Sequence, residues 1–310
     1  MSAVAVLVRS LLRRRWRSYL AIALIVGIGG GVALTAGAAA RRTLSAYPAY
    51  LRSAHVSDLS VITGALDTGS AADFARLDAV VPGGAATYGQ INVGPLTPKG
   101  DFATDSLPVF EQVGSIDGRY LVQDRMAVIR GRLPRLDRTD EVAVNEAFAD
   151  FYNIDVGHVF SFGVAPADQG DQPGQGFEAG PLSRFKARVV GVGLLPGEVV
   201  QDDVDRIPRI VFTPALTKPN VASINYGWEG LRLRDGPRAV HAVERTLTAK
   251  AKTAGTDGIA FQEQAATTDK VQRSVRPLAT SLGVFAGIVA LAVVVLAALT
   301  LSRQLTFERA

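Results

Sequence analysis

The stretch LATSLGVFAGIVALAVVVLAALTL, Leu278 to Leu301, decides how this chain is read. Its 24 residues carry no charge, with Arg276 and Pro277 before them and Arg303 after. At 1.5 Å per residue a helix of that length rises about 36 Å, enough to cross a hydrocarbon core about 30 Å thick. A buried helix of a soluble core usually keeps a polar face, but here only Thr280, Ser281 and Thr300 interrupt Ala, Val, Leu, Ile, Gly and Phe. The stretch reads as a membrane span.

A second apolar run lies near the other end of the chain. Arg13, Arg14, Arg15 and Arg17 lead into Tyr19 to Ala40, which Arg41 and Arg42 close. Trp16 and Tyr19 stand where an aromatic belt would lie. The small residues Ala38, Ala39 and Ala40 also suit a signal-peptide cleavage site, but an apolar region of about 22 residues exceeds the usual 7 to 15. Both runs hold glycines four residues apart, Gly27/Gly31 and Gly283/Gly287. That spacing lets helix backbones approach closely, although glycine is also simply common in membrane helices. No ionisable residue lies within either run, which argues against a proton relay or ion path there.

The charge distribution gives an orientation. The chain is basic, with a sequence pI near 9.5 and a net charge of +4, which on its own would suggest nucleic acid. Residues 1 to 57, however, hold eight Arg and no Asp or Glu, while residues 58 to 277 hold 23 Lys and Arg against 28 Asp and Glu. The basic excess therefore flanks the membrane and forms no patch on the folded region. Five Arg before the first run and two just after it place the N-terminus in the cytoplasm by the positive-inside rule. Two crossings return the chain to that side, so residues 41 to 277 are expected outside.

The expected division is a cytoplasmic basic segment at 1 to 18, a first span at 19 to 40, an extracytoplasmic domain at 41 to 277, a second span at 278 to 301 and a cytoplasmic tail at 302 to 310. Within the outer domain, helical character continues past Pro48 to His55. A strand is expected over Val56 to Thr63, a helix over Ala71 to Val80, a turn at Pro82-Gly83-Gly84 and a strand over Ala86 to Val93. A similar unit recurs as a strand at Gly230 to Arg234, a helix carrying Val240, Val243 and Leu247 to about Lys252, and a strand at Gly258 to Glu263. Two strand-helix-strand units pack naturally as one mixed sheet with helices on one face. The fold class is therefore α+β, with two transmembrane helices flanking a domain of two such units and an inserted β-rich subdomain at about 105 to 220.

The insertion carries one conspicuous order of motifs. Gly131-Arg132-Leu133-Pro134 is followed by Glu141-Val142-Ala143-Val144-Asn145-Glu146-Ala147-Phe148-Ala149, by Asn153-Ile154-Asp155-Val156-Gly157-His158, and by a strand from Phe185 to Val192. Physically this is a strand, a short helix with Asn145 as its N-cap, a turn closed by Gly157, and further strands. In that order, between two spans, the motifs resemble the extracytoplasmic core domain of the MacB/FtsX-like permeases of ABC transporters. The resemblance runs from the basic N-terminus to Gly283-Val284-Phe285-Ala286. His158 stands where the family more often has Asp.

The resemblance implies a membrane subunit with no chemistry of its own and no cofactor in this chain, ATP and Mg²⁺ being bound by a partner cytoplasmic ABC ATPase. It also implies a second permease copy or a missing C-terminal half, because family members have four or more spans and this sequence holds two. A natural truncation is one expectation for that difference. The segment carrying Arg303, Glu308 and Arg309 stands where the family meets its ATPase. The implied place is the plasma membrane, as a multi-pass protein in contact with lipid and without nucleic acid.

The residues themselves show little chemistry. The chain has no cysteine, which excludes disulfides and thiolate ligands. It has no G-x-x-x-x-G-K-[ST] phosphate loop and no G-x-S-x-G elbow. His55, His158 and His241 form no H-x-x-x-H pair and are expected as surface or turn residues. Asp202, Asp203 and Asp205 are expected as a solvated loop, and Trp228, Phe148 and Phe151 as core anchors. No catalytic, cofactor-binding or metal-ligating residue is assigned. The alternative reading is a two-span envelope protein such as a polysaccharide chain-length regulator or sensor module. Such regulators use long outer helices with sustained heptads, and this domain reads as many short strands.

Overall fold

The computed structural model describes residues 3–64, 73–103, 110–169, 177, 180–200, 207–254 and 259–307. It divides into two compact units, one of residues 1–49 and 271–310, the other of residues 50–270.

The first unit holds the apolar parts of two long helices, α1 (Ala3–Ser53) and α5 (Gln264–Phe307). Within them Ile22–Ser53 and Thr268–Thr300 are long and apolar enough to cross a membrane. The α5 segment is not a buried core helix, because Leu278, Val284, Ile288, Leu291 and Val294 are all more than half exposed. Water is a poor solvent for so large an apolar surface, whereas lipid is a good one. Three hydroxyls within the runs donate to carbonyls one turn back, Thr35 to Gly31 at 2.8 Å, Ser281 to Pro277 and Thr300 to Leu296 both at 2.9 Å. No hydroxyl of these three needs water, which hydrocarbon would not supply.

The second unit is built on one eleven-stranded sheet. Its strands are β1 (Leu59–Gly64), β2 (Val80–Ile91), β3 (Val93–Pro95), β4 (Glu111–Ser115), β5 (Ala127–Gly131), β6 (Glu141–Asn145), β7 (Val159–Val164), β8 (Ser183–Leu194), β9 (Arg209–Phe212), β10 (Ile224–Leu233) and β11 (Ala260–Glu263). They lie in the order β11-β1-β10-β2-β4-β9-β6-β8-β7-β3, with β5 also on β8. β4–β9 and β6–β8 are parallel, and the other pairs antiparallel. The segments expected as an insertion thus hydrogen-bond into the same sheet as the two outer units.

Two apolar clusters follow that order. Leu59, Val61, Leu231 and Leu233 pack with Phe74 and with Val240, Val243 and Leu247 of α4 (Val240–Ala254), so the expected helix stripe is buried against the outer strands. Val142, Val144, Phe162, Val189, Ile210 and Phe212 form another cluster, with Phe148 of α2 (Glu146–Phe151) and Leu216 of α3 (Pro214–Thr217) packed on it. As expected, Asn145 caps α2, its Oδ1 accepting from the Phe148 backbone N–H at 2.9 Å.

Three expectations are corrected. The helix expected over Ala71 to Val80 ends at Ala75 among the described residues, and Val80 already belongs to β2 (residues 65–72 lie outside the described set). Pro82-Gly83-Gly84 is not a turn ahead of the strand. β2 runs through it as a bulge against β10, Gly83 taking φ +65°, a conformation glycine adopts without a steric penalty. Phe151 is no core anchor, being 68% exposed at the end of α2, while Phe148 is buried and Trp228 is partly buried. Asp202, Asp203 and Asp205 lie outside the described residues.

Candidate functional site

The motifs that are scattered in sequence meet in the second unit. The Arg132 guanidinium grips Glu141 with two hydrogen bonds of 2.6 and 2.8 Å, and Glu141 also accepts from the Arg135 backbone N–H at 3.0 Å. These bonds hold the Glu141 carboxyl well below its ordinary range, at about 2. Gly131 has φ +76°, and a Cβ there would sit 2.2 Å from the Val190 carbonyl oxygen. A Cβ at Gly191 would meet the Arg132 carbonyl oxygen at 2.1 Å. Gly-Arg at 131–132, the glutamate opening β6 and Val-Gly at 190–191 therefore form one close-packed crossing that admits only glycine at two of its positions.

A second arrangement joins the domain to the two long helices. α1 ends at Ser53 and its last turn closes through His55, whose φ is +53°, with the Val56 N–H donating to the Leu51 carbonyl at 3.0 Å. This six-to-one bond around a left-handed residue is a Schellman-type helix end. Ser57 and Asp58 follow, and then β1. At the other side of the junction β11 ends at Glu263 and α5 begins at Gln264 with no connecting residue. β1 and β11 are antiparallel neighbours, with Leu59 opposite Glu263. The Gln264 N–H donates to the Asp58 carbonyl at 3.1 Å, so one backbone bond ties the start of α5 to the segment that follows α1. The Asp58 N–H donates to Leu231 and its carboxylate accepts from the Leu233 N–H, both at 2.8 Å, fixing the same segment to β10. Burial raises the Asp58 pKa, and the Leu233 bond opposes that shift.

The loop between β4 and β5 locks the junction from one side. Asp124 accepts from the Ser57 backbone N–H and from the Ser57 hydroxyl, each at 2.6 Å, and lies 3.1 Å from Arg119 Nε. Arg119 is buried and also donates to the Ser60 hydroxyl at 2.6 Å. Its guanidinium lies 5.0 Å over the Tyr88 ring and 5.6 Å over Tyr120. Burial acts most strongly on the Arg119 pKa and would lower it, but Asp124, Tyr120, Tyr88 and Glu229 together oppose it and the net shift is upward. Gln123 donates to the Ser57 hydroxyl and to the Gly84 and Gly230 carbonyls. The loop also bonds the helix end, with the Arg125 N–H donating to Ala54 and the Asp124 N–H to His55. Tyr120 and Asp124 hold positive φ values of +66° and +51°, the strained backbone expected where surrounding contacts over-determine a conformation. Sequence reading missed this group, because Ser57 stands more than 60 residues from Arg119 and Asp124 and the three match no motif.

The residues singled out for helix packing are placed as follows. A Cβ built at Gly27, Gly31, Gly283 or Gly287 meets nothing within 4 Å, so all four faces are open in this chain. The close approach within the first unit falls at Gly29, where a Cβ would meet Val293 Cγ2 at 2.2 Å. Arg303 lies in α5, and Glu308 and Arg309 lie outside the described residues. Of the histidines, His55 closes α1, His158 lies 4.5 Å from the Phe160 ring and His241 opens α4.

No family model matches the sequence, and no curated protein matches it. Among solved structures the chain is similar to the periplasmic region of MacB from Actinobacillus actinomycetemcomitans, at 11% identity and a TM-score of 0.39 over 72% of this chain and 95% of that one. It is also similar to the extracellular domain of the noncanonic ABC-type transporter YknZ from Gram-positive bacteria, at 10% identity and a TM-score of 0.38 over 66% of this chain and 98% of that one. A domain of a putative permease protein from Porphyromonas gingivalis gives 9% identity and a TM-score of 0.36 over 66% and 88% of the two chains. These are likenesses at identities and TM-scores too low to carry a functional argument.

Proposed function

We propose that this chain is a membrane subunit of an ABC transporter of the MacB/FtsX-like type, which passes ATPase-driven movement of its apolar helices into an extracytoplasmic domain for export or extraction of a substrate. The observation that carries this reading is the junction. Two helices long and apolar enough to span a membrane feed adjacent antiparallel strands with at most five residues between helix and strand, and a backbone bond links Asp58 to Gln264. A domain held only for anchorage needs no such coupling, and flexible linkers would serve it as well. The contact between Gly131-Arg132, Glu141 and Val190-Gly191 supports the motif order as one structural unit.

In this reading residues 41–277 are extracytoplasmic in a plasma-membrane protein, and the chain itself catalyses nothing. ATP and Mg²⁺ belong to a cytoplasmic ABC ATPase. The open faces at Gly27, Gly31, Gly283 and Gly287 are available to helices of a second permease copy or a C-terminal half, and Arg303, Glu308 and Arg309 belong to the segment facing the ATPase.

Because the chain has no native cysteine, the test is clean. Cysteines placed at Ser60 and Gln262, which are opposed across β1 and β11, would be cross-linked in chain co-reconstituted with the Walker-type ATPase that co-isolates with it. Oxidation should change ATP turnover, and reduction should restore it. A chain that isolates with no such ATPase, or whose locked form leaves turnover unchanged, would sink the proposal.

A further inference from the structure

We propose a divalent transition-metal site, of the kind that takes Zn²⁺, at His241, Glu244 and Glu263. His241 and Glu244 are three residues apart in the first turns of α4 and so share one face of the helix. Glu263 is brought to them from the end of β11, 22 residues along the chain from His241. The His241 Nδ1 atom lies 3.4 Å from Glu244 Oε2 and 3.8 Å from Glu263 Oε1, and the three ligand atoms all lie within 4.8 Å of one another.

That spacing suits a metal better than it suits hydrogen bonding. With Zn–N and Zn–O bonds of about 2.0–2.1 Å, ligand atoms in a tetrahedral site stand about 3.3 Å apart. The 3.4 Å separation from Glu244 is near that value and long for an N–H···O bond, and the 3.8 Å separation from Glu263 is beyond hydrogen-bond range. With the imidazole neutral, as metal ligation requires, the two carboxylates leave a net charge of −2 that a divalent cation would balance, and water would complete the fourth position. Access is open, since the His241 side chain is 75% exposed while the carboxylates are more sheltered at 19% and 33%. Among the described residues no other His, Asp and Glu group meets the same geometry.

The site has a mechanical consequence that the ligands alone define. Glu263 is the last residue of β11 and the one before α5, so a bound metal would fasten α4 to the strand that feeds the second long helix. This goes beyond the transport reading and does not depend on it.

The test uses full-length chain without an affinity tag, purified in detergent and stripped with chelator. Co²⁺ replaces Zn²⁺ as a spectroscopic probe and Zn²⁺ is titrated by calorimetry. One equivalent should bind, with the visible absorption bands of four-coordinate Co²⁺. Loss of a second-shell group typically costs 10- to 100-fold in metal affinity, so loss of a ligand in His241→Ala or Glu263→Gln should weaken binding at least about tenfold. His55→Ala and His158→Ala should bind as the parent does. Unchanged affinity in both His241→Ala and Glu263→Gln, or no saturable binding by the parent, would overturn the proposal. Thermal melts without metal establish that each variant is folded.

Discussion

Asp124→Asn isolates the electrostatics that hold the helix junction. The substitution keeps the side chain's shape and tolerates φ +51°, since Asn is among the residues that accept the left-handed region. It removes the charge that faces Arg119, of which only 3% is exposed. Breaking a buried ion pair by removing one partner typically costs about 3–5 kcal/mol, because the remaining charge is left buried without compensation. One carboxamide oxygen can still accept from Ser57, so the expected loss is toward the lower end, about 3 kcal/mol. Replacing both partners, as in Arg119→Met with Asp124→Asn, removes the stranded cation and should cost less than the sum of the single variants by about 1–3 kcal/mol. Trp228 is a local reporter, stacked on Tyr88 at 4.8 Å, with Tyr88 directly beneath the Arg119 guanidinium. Denaturant titration of its fluorescence, in a Trp16→Phe background that removes the other tryptophan, gives the three stabilities. A loss below about 1 kcal/mol in Asp124→Asn, or strict additivity in the pair, would refute the claim that this buried charge pair holds the junction.

Other outcomes follow from the same structure. Glu229 is buried on β10 and accepts from the Thr87 hydroxyl at 2.6 Å, and burial pushes its carboxyl up to about 7 from 4.5 in spite of that bond. An acid whose folded pKa is raised stabilises fully below about pH 4.5, and that contribution is lost as pH rises through about 7. Glu229→Gln should therefore flatten the pH profile over that window and be more stable than the parent at pH 8, by at most about 3 kcal/mol; superimposable melting profiles would disprove it. Gly230→Ala should destabilise by several kcal/mol (about 2–4), because its Cβ would meet Ser57 Oγ at 2.4 Å and Arg119 Cζ at 2.8 Å. Gly131→Ala should lower the melting temperature more than Gly157→Ala: both glycines have positive φ, but only at Gly131 is the space filled by a backbone carbonyl. A single cysteine at Thr253 should react with membrane-impermeant maleimide in intact cells, and one at Ser10 only after permeabilisation; the reverse pattern would invert the proposed topology.

What was legible in the sequence is what acts over short range. The two long apolar helices are written in uncharged, mostly apolar runs, the α4 stripe in Val240, Val243 and Leu247, and the α2 cap in an Asn before a helical turn. Errors arose where long-range pairing overrode a local signal. Pro82-Gly83-Gly84 reads as a turn, yet β10 holds it in register as a bulge, and the helix expected to Val80 gives way to the same ladder. Phe151 has the chemistry of a core anchor but falls on the outer side of a six-residue helix whose inner side Phe148 already fills. Ser57, Arg119 and Asp124 carry no readable spacing, because the sheet order alone brings the β4–β5 loop against the end of α1. The same holds for His241 and Glu263, which only the α4–β11 return brings together.

The pairing of Leu59 with Glu263 also sets how the domain yields under load. Both helices attach at the same end of an antiparallel ladder, so forces that separate them act across the strands and open the ladder as a zipper, one rung at a time from Leu59/Glu263 toward Ile62/Ala260. Forces that move both helices together spare the β1–β11 rungs and pass to the ladder between β1 and β10. Attachment at opposite ends would have put every rung in shear at once and made the pair stiff. Spreading of the two supports therefore acts first on β11, which is only four residues long, lies at the sheet edge and is held to β1 by four residue pairs.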